Sequence, residues 1–347
     1  MKPAALLRPA LLPALLLALT PLAAFAADAK PHPFVGQIER MDPALDKLIA
    51  PGTTIEKLAE GFRWSEGPTW FDGGVVFSDV LANTAYQWKP GMTEARIFLR
   101  PSGLFTTNAG IREPGSNGTT TDRQGRLTLA QHGERRVVRW DKGATANQAF
   151  TVLADKYEGK RFNSPNDLVV KGNGDIYFTD PPYGLTDIEK SKLRELDFAG
   201  VYRIGAADGK VTLLSKSLPF PNGIGFSPDE KILYIGTTED NKARIMAYDA
   251  KADGTLANER LFYNAQPLVD AQHKGACDGL KVDREGNVWS TGAGGVLVIS
   301  PAGKLLGRVN TGEQTGNCCW GDDGSTLYIT ADYFLVRVKT LTKGAGW

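Results

Sequence analysis

One strand–turn–strand unit occurs six times along the chain, and this repeat constrains the fold more than any other feature. Each unit has a run of β-branched or aromatic residues, a turn rich in Gly, Asp or Asn, and a second such run. A repeat of roughly 50 residues is typical of propeller blades and too long for leucine-rich or ankyrin arrays. The units begin at Glu66 (EGPTWFDGGVVFSD), Asn117 (NGTTTDRQGRLTLA), Asn166 (NDLVVKGNGDIYFTD), Asn222 (NGIGFSPDEKILYIG), Asp278 (DGLKVDREGNVWSTG) and Asn317 (NCCWGDDGSTLYITA).

The remaining pattern is also that of strands. Outside the first 26 residues no long segment shows apolar residues at helical spacing, and weaker strands such as VYRI at 201–204 fit a blade of four strands. A sandwich or a barrel could use similar strands, but radial closure of repeats also protects the sheet edges. We predict an all-β, six-bladed β-propeller over residues 55–347. Residues 27–54 form an N-terminal extension that could complete the last blade.

Residues 1–26 have the pattern of a secretory signal peptide. Lys2 and Arg8 precede an apolar stretch at 11–22, and a small-x-small motif ends at Ala26. The alternative is a retained membrane anchor, but the stretch is shorter than the roughly 20 residues that a spanning helix needs, and prolines interrupt it. We therefore predict a periplasmic or secreted protein with no stable membrane association after cleavage.

Charge and cysteine content exclude several classes of protein. Lys and Arg total 40 against 39 Asp and Glu, so the chain lacks the basic excess of a nucleic-acid binder. A hydrophobic content of 42% allows a large core. Three cysteines, Cys277, Cys318 and Cys319, exclude a disulfide-stapled scaffold and a four-thiolate zinc site. A bridge between Cys277 and Cys318 stays open.

Every repeat begins with a side chain that carries an oxygen ligand. Innermost strands line the central channel of a propeller, so equivalent first positions form one ring around the axis. Two carboxylates among amides favour a hard cation such as Ca²⁺. Asn and Asp also begin turns, but Glu66 is a poor turn residue. We call this set the oxygen ring: Glu66, Asn117, Asn166, Asn222, Asp278 and Asn317.

The residues after each second strand are expected at the same mouth of the channel, because a hairpin returns the chain to the end where it began. His132 and Tyr183 follow two of these strands, and Arg161 lies just before the Asn166 strand. We predict that these three residues and Asn117 contact the substrate.

Four segments carry a resemblance to a known family: SEGPTW, NSPNDLVV leading to YFTDPPYG, PNGIGFS and CDGLKVDREGNVW. Together, in this order, they resemble the gluconolactonase and regucalcin (senescence marker protein) family of six-bladed propellers, and the bacterial gluconolactonase-like branch in particular. The resemblance implies a divalent metal ion at the channel mouth, Ca²⁺ foremost and Zn²⁺ or Mg²⁺ as alternatives. The ligands that it implies are Glu66, Asn166, Asn222 and Asp278; it does not make Asn117 or Asn317 ligands.

The function that follows is hydrolysis of a small-molecule sugar lactone, with the cation polarising the carbonyl and Asp278 acting as general base or nucleophile. Two alternatives stay open: a phosphotriester or other ester hydrolase on the same ion, and a noncatalytic propeller that binds a ligand or protein around a structural ion. The sequence has no G-x-S-x-G, H-E-x-x-H or G-x-G-x-x-G motif, which disfavours a serine hydrolase, a zincin and a nucleotide enzyme.

Overall fold

A computed structural model describes residues 33–142, 150–239 and 242–347. The predicted signal peptide at 1–26 lies outside these described residues. Within the described ranges, no helix is long and apolar enough to cross a membrane.

Six antiparallel sheets form the fold, and each of the first four uses four consecutive strands. Blade 1 contains Ser65–Phe71, Gly74–Asp79, Thr84–Trp88 and Arg96–Leu99. Blade 2 contains Ser116–Thr121, Leu127–Gln131, Arg136–Trp140 and Phe150–Ala154. Blade 3 contains Leu168–Val170, Ile176–Asp180, Gly200–Ile204 and Val211–Ser215. Blade 4 contains Pro221–Phe226, Ile232–Thr237, Arg244–Ala250 and Leu256–Asn264.

The last two blades take strands from the beginning of the described chain. Blade 5 contains Leu280–Val282, Val288–Gly292, Gly295–Ile299 and Leu305–Asn310, and Gln37–Arg40 pairs with the last of these as a fifth strand. Blade 6 contains Asn317–Gly321, Thr326–Ala331, Phe334–Lys339 and, as its outer strand, Glu56–Glu60. Glu56–Glu60 also leads into blade 1, so this pairing closes the ring.

Short elements connect the blades. The described part of the chain has a two-stranded ribbon and three short 3₁₀ helices; they are Lys156–Tyr157 with Lys160–Arg161, and Pro43–Lys47, Ile188–Lys190 and Gln266–Leu268.

The first strands of the six blades contact one another in a closed cycle. Ser65–Phe71 of blade 1, for example, contacts Ser116–Thr121 of blade 2 on one side and Asn317–Gly321 of blade 6 on the other. This arrangement confirms the predicted all-β, six-bladed propeller with a central channel.

Apolar side chains between neighbouring sheets form the core. Trp289 of blade 5 packs edge-on against Trp320 of blade 6, with ring centroids 5.2 Å apart. Cys277, Cys318 and Cys319 are buried free thiols, so they contribute as small apolar side chains and not as a bridge.

Two glycines next to the oxygen ring are required by the close approach of neighbouring inner strands. A Cβ on Gly118 would lie 2.5 Å from the Asn166 carbonyl oxygen, and one on Gly223 would lie 2.1 Å from the Asp278 carbonyl oxygen. Both glycines lie inside strands and donate N–H bonds to these same oxygens, at 2.7 and 3.1 Å. The Asn117-Gly118 and Asn222-Gly223 pairs are therefore contacts between blades and not turns.

Candidate functional site

The inner strands begin around a cavity of about 530 Å³, which we call the central cavity. Five of the six oxygen-ring residues line it, so the structure brings together residues that lie up to 212 positions apart, from 66 to 278. The lining residues are Trp64, Glu66, Leu81, Arg112, Glu113, Asn117, Asn166, Tyr183, Asn222, Thr238, Ala276, Asp278 and Gln314.

Irregular strand pairing directs the ring side chains into the cavity. The register between the first two strands shifts at Glu66, next to Asn117 and next to Asn222. Such a β-bulge re-aims a side chain that regular pairing would place against the neighbouring sheet. Asn166 and Asp278 instead lie two residues before their strands, where the chain has left the ladder.

Glu66 and Asp278 are carboxylates in surroundings that disfavour their charge. Glu66 is buried, and desolvation raises its pKa to about 8, against the hydrogen bond that Gly67 N–H donates to Oε2 at 2.8 Å. Desolvation and the neighbouring carboxylates of Glu66, Asp167 and Glu113 hold the pKa of Asp278 well above its ordinary value. A cation between Glu66 and Asp278 would offset both the loss of hydration and the repulsion between the carboxylates.

Two amide oxygens at the cavity have no protein partner. Asn117 Oδ1 and Asn222 Oδ1 are buried and accept no hydrogen bond from any described residue. Orphaned carbonyl oxygens beside two carboxylates fit a divalent cation of oxygen-preferring type. Within the described ranges, no group of three or more His, Cys, Asp or Glu side chains is placed to hold a metal ion.

Asn317, the sixth ring residue, faces a polar network and does not line the central cavity. Its Nδ2 donates to Asp167 Oδ2 at 3.1 Å, and its Oδ1 accepts from Lys281 Nζ at 3.3 Å. Lys281 Nζ also lies 3.8 Å from Asp167 Oδ2. The Lys281 ammonium therefore compensates a carboxylate that would otherwise add to the negative charge of the site.

The predicted substrate-contact residues are placed differently from one another. Asn117 and Tyr183 line the cavity. The Tyr183 ring stacks on Phe220 at 5.5 Å, and its hydroxyl contacts that of Thr238. Arg161 lies away from the lining and donates through Nη2 to the Glu134 carbonyl oxygen at 2.7 Å.

His132 lies behind the cavity wall. It is fully buried, and its Nδ1 is 2.9 Å from Oε2 of Glu113, which does line the cavity. His132 therefore contacts a cavity-lining residue, Glu113, but does not line the cavity itself.

Sequence reasoning missed Arg112 and Glu113. They lie in the connection between blades 1 and 2, outside every repeat, and their backbone N–H groups are bound to the Gly184 carbonyl oxygen of blade 3 at 2.8 and 3.2 Å. No local pattern marks such a contact. The one sequence feature that could have indicated them is the nearby Asn117 repeat, because residues just before its first strand lie at the channel mouth.

The chain is similar along most of its length to known lactone-hydrolysing proteins. It is 38% identical over 317 residues to a gluconolactonase of Zymomonas mobilis, covering 89% of this chain and 88% of the relative. A solved gluconolactonase structure from Xanthomonas campestris superposes with a TM-score of 0.75 at 29% identity, covering 89% of this chain and 98% of that one. A calcium-binding regucalcin from Agrobacterium tumefaciens, at 17% identity and a TM-score of 0.62 over 84% and 96% of the two chains, shares the fold.

Fold and site together define a six-bladed propeller whose channel mouth is a pocket of carboxylate and amide oxygens. Residues 64–332 match the family model described as SMP-30/gluconolactonase/LRE-like region. The chain belongs to this family, which confirms the resemblance found in the four sequence segments.

Proposed function

We propose that the protein is a divalent-cation-dependent lactonase that opens sugar lactones in the central cavity. The observation that carries the proposal is the cavity itself, where Glu66 and Asp278 meet orphaned amide oxygens. The gluconolactonase relatives support lactone hydrolysis as the reaction.

The residues that would hold the cation are Glu66, Asn166, Asn222 and Asp278, with Ca²⁺ as the ion that oxygen donors favour. The chemistry that such a cation supplies when bound is polarisation of the lactone carbonyl and stabilisation of the negative charge that develops on its oxygen. Asp278 accepts a hydrogen bond from the Asn222 amide, so these two predicted ligands lie side by side.

The rest of the cavity suits a ring with hydroxyl groups on its edge and C–H groups on its face. Trp64 and Leu81 supply an apolar wall, while Asn117, Thr238 and Gln314 supply amide and hydroxyl groups. Arg112 adds a cation to the lining, which complements the carboxylate that hydrolysis produces.

The test is proton release by the purified protein on a panel of aldonolactones and simple esters, after chelation and after adding back Ca²⁺, Zn²⁺ or Mg²⁺. We expect turnover of a sugar lactone that chelation removes and a cation restores. Asp278→Asn should abolish both turnover and cation binding measured by calorimetry. Asp253→Asn, a matched change at an exposed hairpin, should alter neither. A fully active chelated enzyme would contradict the cation requirement, and an inert cation-loaded enzyme would contradict the lactonase.

Export is part of the same proposal, and it rests on the charged, apolar and small-residue pattern of residues 1–26. We expect the protein recovered from cells that express the full sequence to begin at residue 27, outside the cytoplasm. N-terminal sequencing of the recovered protein checks this, and an intact residue 1 on cytoplasmic protein would contradict it.

A further inference from the structure

Glu113 is a carboxylate of the central cavity that belongs neither to the oxygen ring nor to the predicted ligand set. It lies three residues before the inner strand Ser116–Thr121, and it lines the cavity together with Glu66 and Asp278. Its side chain is 13% exposed. Its backbone is fixed, since its N–H is bound to the Gly184 carbonyl oxygen at 3.2 Å. A molecule that fills the cavity therefore meets this carboxylate.

Two neighbours hold the Glu113 side chain. His132 Nδ1 lies 2.9 Å from Oε2, and the Arg112 guanidinium donates to Oε1. Arg112 is itself held, because its Nε donates to the Tyr183 carbonyl oxygen at 3.1 Å. His132 is fully buried, and its Nε2 has no hydrogen-bond partner among the described residues, so the one polar contact of its side chain is Glu113. The carboxylate is thus fixed in one orientation before any ligand binds.

Glu113 is an ionised hydrogen-bond acceptor with unused capacity. Burial raises its pKa, but the hydrogen bond and charge of His132 and the charge of Arg112 outweigh burial and bring the pKa below its ordinary value. An ionised carboxylate offers about four lone-pair positions and has no proton to donate. Among the described residues each of its oxygens has one donor, from Arg112 or from His132. The remaining positions need donors that come from the cavity.

Glu113 also lies close to the oxygen ring. Its charge contributes to the raised pKa values of both Glu66 and Asp278, and all three carboxylates line one cavity. A lactone whose carbonyl lies at the ring therefore has Glu113 near the rest of its own ring. A hydroxyl group there can donate to the carboxylate. A methylene group there displaces water from a charged acceptor and returns no hydrogen bond.

We propose that Glu113 is a specificity-determining residue that selects lactones with hydroxyl groups on the ring over unsubstituted lactones, and that His132 is its positioning residue. Glu113 accepts a hydrogen bond from a ring hydroxyl of the substrate. A site built to bind a hydroxyl group rejects the analogue without it, because the buried partner is left unpaired. This inference rests on the proposed function for the reaction and adds the class of substrate.

The first test compares kcat/KM for an aldono-δ-lactone with kcat/KM for δ-valerolactone, which has the same ring without hydroxyl groups. Both are assayed at saturating cation, so that a change in cation affinity does not enter the ratio. Glu113→Met removes the acceptor and should lower the ratio by about 100-fold relative to wild type. Glu113→Gln keeps the shape and a neutral acceptor, so it should lower the ratio less, by about tenfold.

The ratio separates specificity from structural damage, because a distorted cavity loses both substrates alike. Glu239→Gln is the matched control and should keep the wild-type ratio. Glu239 pairs with Arg244 next to Thr238, but it does not line the cavity.

Two variants test the positioning role of His132. His132→Asn keeps an N–H donor near the Nδ1 position, whereas His132→Leu leaves Glu113 Oε2 without this donor. We expect His132→Leu to lower the ratio of the two lactones and His132→Asn to keep most of it. An equal ratio in both variants would show that His132 does not position Glu113.

Binding without turnover gives an independent measurement. An aldonolactam has the hydroxyl groups of the lactone and an amide in place of the ester, and δ-valerolactam is its unsubstituted counterpart. By calorimetry, wild type should bind the aldonolactam at least about tenfold tighter than δ-valerolactam, and Glu113→Met should lose most of this difference.

The outcomes are distinct. If wild type hydrolyses the aldonolactone and both Glu113 variants keep its ratio within about threefold, the specificity assignment is wrong and the lactonase stands. If wild type opens no lactone in the presence of cation, the proposed function fails, and the lactam comparison still tests Glu113. Equal affinity of wild type for the two lactams would overturn the assignment on its own.

Discussion

At the residue scale, the raised pKa values of Glu66 and Asp278 predict competition between protons and cation. In the cation-free protein both carboxyls bind protons more tightly than in the unfolded chain, and Glu66 does so up to about pH 8. Stability that depends on these protons is present at low pH and is lost as pH rises toward 8. Since the cation binds the ionised forms, Ca²⁺ should raise Tm more at pH 8 than at pH 6.

Scanning calorimetry of chelated and Ca²⁺-loaded protein at the two pH values measures this difference. Glu66→Gln removes one of the titrating groups and should flatten the pH dependence. A Ca²⁺-induced increase in Tm that is equal at pH 6 and pH 8 would show that the two carboxyls are already ionised without the cation.

The two orphaned amides, Asn117 and Asn222, should differ in role although their oxygens look alike in the structure. Asn222 is bonded to Asp278 and belongs to the implied ligand set, whereas Asn117 is assigned to substrate. Asn222→Ala should lower Ca²⁺ affinity by at least about tenfold, as loss of even an outer-shell partner does. Asn117→Ala should leave Ca²⁺ affinity nearly unchanged and raise KM. Calorimetry measures the Ca²⁺ affinity of the two variants, and steady-state kinetics measures their KM. Equal losses of Ca²⁺ affinity would show that Asn117 is a ligand as well.

At the element scale, the inner strands are positioned by the glycines between them. Gly223→Ala would force a methyl group to within about 2 Å of the Asp278 carbonyl oxygen, a distance that only backbone movement relieves. We expect a loss of about 1–3 kcal/mol in the free energy of unfolding. We also expect weaker Ca²⁺ binding, because Asp278 moves with its strand.

Gly172→Ala is the matched control for this change. The atoms nearest to its Cβ would be the ends of the Arg123 and Glu230 side chains, which are flexible. Denaturant unfolding and calorimetry on both variants measure stability and Ca²⁺ affinity. A Gly223→Ala protein as stable and as tight for Ca²⁺ as the control would mean that the inner strands tolerate separation.

At the scale of the whole molecule, the repeats predicted the six blades because each inner hairpin is local in sequence, such as the pair Asn317–Gly321 and Thr326–Ala331. They also placed five ring residues in one cavity, since equivalent positions around an axis must converge. The repeats could not predict outer strands such as Gln37–Arg40, because that strand pairs with residues about 270 positions away. Glu113 was missed because it lies outside every repeat, and the backbone contact that places it comes from Gly184 of another blade.

Closure of the ring by Glu56–Glu60 predicts unequal effects of two N-terminal truncations. A chain that begins at residue 42 loses the fifth strand of blade 5 and the backbone contacts of residues 33–35 with residues 55–57. It also loses Glu39, which accepts from Arg308 Nε at 2.9 Å. Because the four-stranded blade remains, we expect this chain to fold with a lower Tm. A chain that begins at residue 61 loses the strand that joins blade 6 to blade 1, together with Leu58, which is 2% exposed.

The chain that begins at residue 61 would expose Phe334–Lys339 as an open edge with two or more apolar residues uncovered, among them Leu335 and Val336. An unpaired edge of this kind associates with other chains, so we expect aggregation and no cooperative melt. Size-exclusion chromatography and thermal melts of the two truncated proteins test the comparison. A soluble chain from residue 61 that melts as cooperatively as the chain from residue 42 would show that the propeller holds together without this pairing.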